Sequence, residues 1–222
     1  MNITQLAPVD GVIPVSLQCQ TKDYPKPVEG KALNCVVRNN TITPVTAISL
    51  RYSLQYLLGS KELETNGSIT MDALIHRDFH ASNFTKFILP AGERAFGREA
   101  LVQDGMTNVE LSISVDYVEF DDGAWLGPNS NGSREVKDIR DGASKYRAWL
   151  RKNYLKRGKS QAAIKTLVMQ STSNLSDLQL NEKLITGAEA YRKNAQEVIN
   201  FRGGVSQLQH QLSIERIPEP NR

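Results

Sequence analysis

The sequence predicts a mainly β fold followed by helices: an immunoglobulin-like or fibronectin-III-like antiparallel β-sandwich over residues 1–131, then a basic α-helical region over 132–222. Three observations carry this expectation. Seven strand-like runs, separated by turn residues, occupy the first part at roughly the spacing of such sandwiches. After Asn129-Ser130-Asn131-Gly132 the apolar period lengthens from two residues to three and four. The charge balance turns over at the same place: residues 1–131 hold 10 Lys and Arg against 15 Asp and Glu, net −5, and residues 132–222 hold 17 against 9, net +8, in a chain of net charge +3. A small antiparallel barrel is the alternative topology.

The first run, Val12–Cys19, alternates Ile13, Val15, Leu17 and Cys19. A polar, Pro-containing loop at Lys22–Gly30 leads to a second, with Leu33, Cys35 and Val37 on one side; Asn39-Asn40 makes the next turn. Val45–Leu57 is a long half-buried strand, Ile48, Leu50, Tyr52, Leu54 and Tyr56 alternating with Ser49, Arg51, Ser53 and Gln55. Lys61–Gly67 is charged and reads as a loop, Ser68–Leu74 and Phe84–Leu89 as short strands, and Ala95–Val102 as a weaker one because Gly97 interrupts it.

The chain is organised around Val109–Pro128. Val109, Leu111, Ile113, Val115 and Tyr117 alternate with Glu110, Ser112, Ser114 and Asp116, which calls for one buried and one wet face. Asp121, Asp122 and Gly123 form a tight turn, and Trp125 beyond it is expected to cap the end of the core with its ring buried. The segment VDYVEFDDGAWLGP, Val115–Pro128, resembles the V-x-x-V-x-F-x-D-G-x-x-W-G-P segment of an uncharacterised acidobacterial-type protein family, where it follows a run of strands. In this chain Leu126 separates Trp125 from Gly127. The resemblance implies a β context and no particular activity.

The helical region opens with Ser133 as expected N-cap of a helix over 133–157, its stripe formed by Val136, Ile139, Ala143, Tyr146, Leu150 and Tyr154. Further helices are expected from Gln161 to about Gln170, from Ser176, and behind a Thr186/Glu189 capping box, the last carrying Tyr191, Ala195, Val198 and Phe201 on one side and stopping at Gly203-Gly204. Val205–Ile214 fits strand or helix, because Leu208, His210, Leu212 and Ile214 alternate in Gln-rich sequence.

Several residue groups invite a chemical reading. On the first helix Arg147, Arg151, Lys152 and Lys156 are expected opposite the apolar stripe with Trp149 on its flank, a cationic face able to track phosphates or lie on an acidic membrane surface. Any solvated helix can look the same. His76 and His80 have metal-ligand spacing, yet the surrounding IHRDFHASN reads as a surface loop and His210 is remote in sequence. The acids Asp116, Glu119, Asp121 and Asp122 lack EF-hand spacing and read as a solvated turn. Cys19 and Cys35 share inward parity on neighbouring strands, which suits two buried thiols, slightly preferred, or a disulfide if the protein is exported.

Serine-hydrolase elbows, Walker loops and dinucleotide fingerprints do not occur in the sequence, and no cofactor or metal is expected. No run reaches the about 18 apolar residues of a membrane span. MNITQLAPVDG lacks the basic and apolar regions of a signal peptide, so a soluble protein is expected, with export from a longer precursor left open. The sequence therefore favours a non-enzymatic binding or structural module with an unidentified protein partner. The alternatives are a binder of anionic polymers or membrane surfaces through the basic helix, and a hydrolase whose acids lie near Trp125.

Overall fold

The computed structural model describes residues 2–23, 30–73, 75, 88–103, 105–172, 178–201 and 203–213. Within them the chain runs β1 (Asn2–Thr4), β2 (Val15–Asp23), β3 (Gly30–Asn39), β4 (Val45–Leu58), β5 (Lys61–Asp72), β6 (Glu93–Gln103), β7 (Met106–Phe120) and β8 (Trp125–Leu126), then α1 (Gly132–Lys156), α2 (Gln161–Met169), α3 (Glu182–Asn200) and α4 (Gly204–Ser213). It divides into two compact units: Met1–Met71 with Phe87–Ser133, and Asp72–Lys86 with Arg134–Arg222.

The first unit holds two sheets. One has the order β1-β7-β4-β5 with β8 also on β7, the other β2-β3-β6. Pairing is antiparallel within the second sheet and between β4 and β7, whereas β1 lies parallel to β7, Ile3 facing Ile113. Neither sheet closes into a barrel among the described residues. The alternation read from the sequence supplies the core: Val15, Leu17, Leu33, Cys35 and Val37 of one sheet meet Ile48, Leu50, Leu54, Ile113 and Val115 of the other in one apolar cluster. Two sheets facing a shared core is how half-apolar strands hide their inner faces.

The strand reading is corrected in two places. Lys61–Gly67 is strand, the outer half of β5; its side chains are exposed as far as Asn66, so no alternation announces it. Residues 2–4 add β1. The strand expected over Phe84–Leu89 falls mostly outside the described residues, and Ile88 makes an isolated bridge to Val45.

The seam strand departs from a simple two-residue period. Ser49 pairs with Tyr117 and Leu50 with Val115, so Asp116 is the extra residue of a β-bulge. A bulge shifts the parity of everything after it. Val118 and Phe120 therefore take over the core face, and Asp116 and Tyr117 fall on the other side, buried without belonging to the core cluster.

In the second unit α1 carries its apolar stripe as expected, but Ser133 is not its cap: the helix begins at Gly132, and the Ser133 N–H donates to Asn129 Oδ1 at 3.0 Å. Ser160 caps α2 and Asn181 caps α3. The start expected at Thr186 is thus corrected to Glu182, since Asn181 accepts from the Leu184 N–H and opens the helix a turn earlier. The helix start expected at Ser176 lies outside the described residues. Residues 204–213 resolve as helix, Leu208 and Leu212 being buried four residues apart. Phe201 is 64% exposed rather than aligned with Tyr191 and Val198, because α3 ends at Asn200. Where α1 and α3 cross, Gly142 lies against the Leu184 backbone and Gly187 against that of Ile139.

Candidate functional site

The loop end of the sheet unit gathers four connections: residues 9–14 before β2, 40–44 between β3 and β4, 89–92 before β6, and 121–124 between β7 and β8. The strand registers place them together, since Val15 pairs with Asn39, Arg38 with Glu93, and Val45 with Phe120. Backbone hydrogen bonds then tie loop to loop. Asn40 N–H donates to Pro14 O at 2.8 Å, Asn39 N–H to Gly92 O at 2.9 Å, and Asp121 N–H to Pro44 O at 2.9 Å.

Asn39 is the hub. Fully buried, it donates from Nδ2 to Thr43 O (2.8 Å) and Ile88 O (3.1 Å), and its Oδ1 accepts from the Thr41 N–H (3.0 Å) and hydroxyl (2.8 Å). A buried amide with both ends satisfied fixes its neighbours. The turns themselves are tight. Val9 and Val12 bridge across Asp10 and Gly11, both at positive φ, the signature of a two-residue hairpin turn. Phe120, Asp121, Asp122 and Gly123 close through Gly123 N–H to Phe120 O at 3.0 Å, with Gly123 at φ 83° and Asp122 Oδ1 accepting from the Ala124 N–H.

On this held frame sit exposed apolar side chains: Val9, Val12, Ile42, Leu89 and Trp125, with Ile42 92% exposed. Trp125 corrects an expectation. It does not cap the core but stands 53% exposed, stacked on Tyr117 with ring centroids 6.1 Å apart. The β8 register explains this: Leu126 lies opposite Val118 and takes the inward face, so Trp125, opposite Glu119, must point outward. Sequence reasoning singled out Asp121, Asp122, Gly123 and Trp125 but missed Val9, Val12, Ile42 and Leu89. The Asp10-Gly11 pair between two valines was the available signal for one of these turns.

Behind this end, the bulge aims Asp116 at the segment that starts α1. Its carboxylate accepts from the Ser130 N–H (2.9 Å) and hydroxyl, the Asn131 N–H (3.2 Å) and the Gly132 N–H (2.8 Å). Arg51 donates in turn to the Ser130 hydroxyl. Burial alone would push the Asp116 carboxyl up, but the bonds from Ser130, Asn131 and Gly132 outweigh it and hold the group below the usual carboxylate range. Gly132 is required by space, because a Cβ there would sit 2.3 Å from Tyr117 Cβ.

The basic residues of α1 do not form one face. Arg147 is corrected from outward-facing to buried, 6% exposed, and donates to Gln211 O at 2.9 Å; half-buried Arg151 donates to Leu212 O at 3.0 Å. Both guanidinium groups thus meet carbonyls in the last turn of α4, where a helix C-terminus favours cations. Trp149 is half-buried with its ring 5.6 Å from Tyr146, and burial pushes the Tyr146 hydroxyl above its usual range. Lys152 and Lys156 are exposed. Arg192 similarly binds Glu189, lowering that carboxyl's proton affinity, and reaches Val168 O near the end of α2.

Cys19 and Cys35 face each other across β2 and β3 and form a disulfide, so the slight preference for thiols is corrected. Their shared inward parity on paired strands is the reason. His76 and His80 lie outside the described residues, among which no cluster of His, Cys, Asp or Glu is arranged to share a metal ion. No helix of the described residues is long and apolar enough to cross a membrane.

No family model matches the chain, and no curated protein matches it. Among solved structures, the X-ray structure of Northeast Structural Genomics Consortium target SoR45 aligns with 9% identity over 50% of this chain and 76% of that one, at a TM-score of 0.25. The crystal structure of Spo0M, sporulation control protein, from Bacillus subtilis aligns with 14% identity over 60% of this chain and 56% of that one, also at 0.25. Neither likeness is close enough to carry an argument about fold or function.

Proposed function

We propose that the protein is a non-enzymatic binding module of immunoglobulin-like or fibronectin-III-like architecture that docks a protein partner on the loop end of its sheet unit. The observation that carries this reading is the convergence of Val9, Val12, Ile42, Leu89 and Trp125, all exposed, on loops fastened to one another by hydrogen bonds. Single exposed apolar residues are ordinary, but several on one end of a sheet unit fit a contact surface. Loops on a rigid two-sheet frame are a common place for recognition. The strand orders 1-7-4-5 and 2-3-6 depart from the immunoglobulin ABED and CFG path, so the kinship proposed is one of architecture. The Cys19–Cys35 disulfide supports residence in an oxidising compartment.

Site-specific photo-cross-linking in the source cells tests the reading. A cross-linking amino acid in place of Ile42 should trap one partner, the adduct vanishing when Val12→Asp and Trp125→Asp are added. Cross-linkers in place of Glu62 or Lys152 should not trap it. The same partner trapped from Lys152 and not from Ile42 overturns the assignment.

A further inference from the structure

We infer that the segment docking on this loop end is cationic: a stretch of protein chain presenting apolar side chains flanked by Lys or Arg. The inference rests on the loop-end reading above and adds the chemistry of the partner. The apolar residues at this end share their turns with exposed carboxylates. Asp10 lies between Val9 and Val12, and Asp121 and Asp122 precede Trp125. Among the described residues, exposed Glu93 and half-buried Glu119 join these acids, against exposed Arg38 and half-buried Arg94. Their surplus is negative, in keeping with the net −5 of residues 1–131.

This mixture selects among partners. Exposed Ile42 and Trp125 gain by leaving water, so an apolar counterpart is needed to cover them. Covering them brings the partner's own charges within a Debye length of Asp10, Asp121 and Asp122, where like charges are repelled and opposite ones steer the encounter. An anionic membrane or nucleic acid meets the wrong sign here. The turns add rigidity: Ala91 holds positive φ without being glycine, at φ 56°, a conformation that persists only where the surroundings impose it, and Asp10, at φ 50°, sits in the hairpin turn closed by Val9 and Val12. Apolar and acidic groups are therefore presented in a fixed arrangement, which lowers the ordering cost of binding.

A random peptide display library panned against the full chain tests this, with counter-selection on the Ile42→Ser/Trp125→Ala double variant. Both substitutions fall on exposed side chains, and an unchanged melting temperature confirms the fold. The expected winners carry Lys or Arg beside an aliphatic or aromatic residue. They should weaken about two- to fivefold on each of Asp10→Asn and Asp122→Asn, and weaken again when salt is raised. Asn at position 122 keeps an oxygen for the Ala124 N–H, so the turn survives. Winners that need Ile42 and Trp125 but are uncharged or acidic, or that ignore both Asp variants, overturn the cationic partner and leave loop-end docking standing. A library yielding no binder that depends on Ile42 and Trp125 overturns both.

Discussion

Asp116 shows how one residue turns a strand into an anchor. The strand's alternation keeps it off the core face, the bulge turns Tyr117 to the same side, and Ser130, Asn131 and Gly132 supply the donors that make its burial tolerable. In the folded chain its carboxyl binds a proton less readily than in the unfolded chain. Its stabilisation is therefore fully present above the unfolded value of about 3.9 and is lost as pH falls through the lower folded value. Replacing it by Ala strands three amide donors and should cost about 3 kcal/mol at neutral pH. Urea unfolding followed from pH 7 down to pH 2 should show the gap between wild type and Asp116→Ala closing at the acid end; a gap that stays constant would refute the role of the charge. Asn39 makes a comparable prediction without charge. Asn39→Ala leaves Thr43 O, Ile88 O and the Thr41 N–H without these partners and should cost about 2 kcal/mol, with faster amide exchange at Thr41 as the local readout. If Thr41 exchanges no faster, Asn39 does not hold the loop.

Among the elements, the α1–α3 crossing is set by two glycines. A Cβ on Gly187 would lie 1.9 Å from Ile139 O and one on Gly142 2.0 Å from Leu184 O, so side chains larger than hydrogen force the helices apart. Gly187→Ala should destabilise the helical unit by about 2 kcal/mol despite the better helix propensity of Ala. Thermal melting followed by far-ultraviolet circular dichroism checks this, and an unchanged or higher midpoint would mean the crossing is loose. Nothing in the sequence marks these glycines, since a small residue inside a helical stripe looks like a weak former rather than a contact. The same limit explains the other differences. Elements whose own apolar pattern matches their period were legible: β4, most of β7, and α1. The outer half of β5 was not, because pairing with β4 rather than burial makes it strand. The bulge at Asp116 and the outward turn of Trp125 depend on register, which a single strand's sequence does not contain. Arg147 and Arg151 read as solvated cations because their acceptors, Gln211 O and Leu212 O, are backbone atoms of a helix some sixty residues away.

At the scale of the whole chain, the apolar cores are built from different residues: among the described residues, strands β1 to β5, β7 and β8 with Leu6 and Ile88 supply one, the four helices with Ile75 and Leu178 the other. The Cys19–Cys35 disulfide belongs to the first, closing a loop with a sequence separation of 16. In the chain-entropy account, a cross-link of that span stabilises by about 3 kcal/mol, by restricting the unfolded state of the residues it encloses. That effect acts on the unit whose unfolding frees the loop. Amide hydrogen exchange, read peptide by peptide in the Cys19→Ala/Cys35→Ala double variant, should therefore lose protection in β2, β3, β4 and β7 while α1 and α3 keep theirs. Equal losses in strands and helices would mean that both cores melt in one transition, and the charge reversal between residues 1–131 and 132–222 would then need to be read as part of a single cooperative structure. Unchanged helix protection would instead leave the helical unit standing on its own core, with guanidinium groups such as those of Arg147 and Arg151 holding its helix ends and the exposed lysines of α1 left to the solvent.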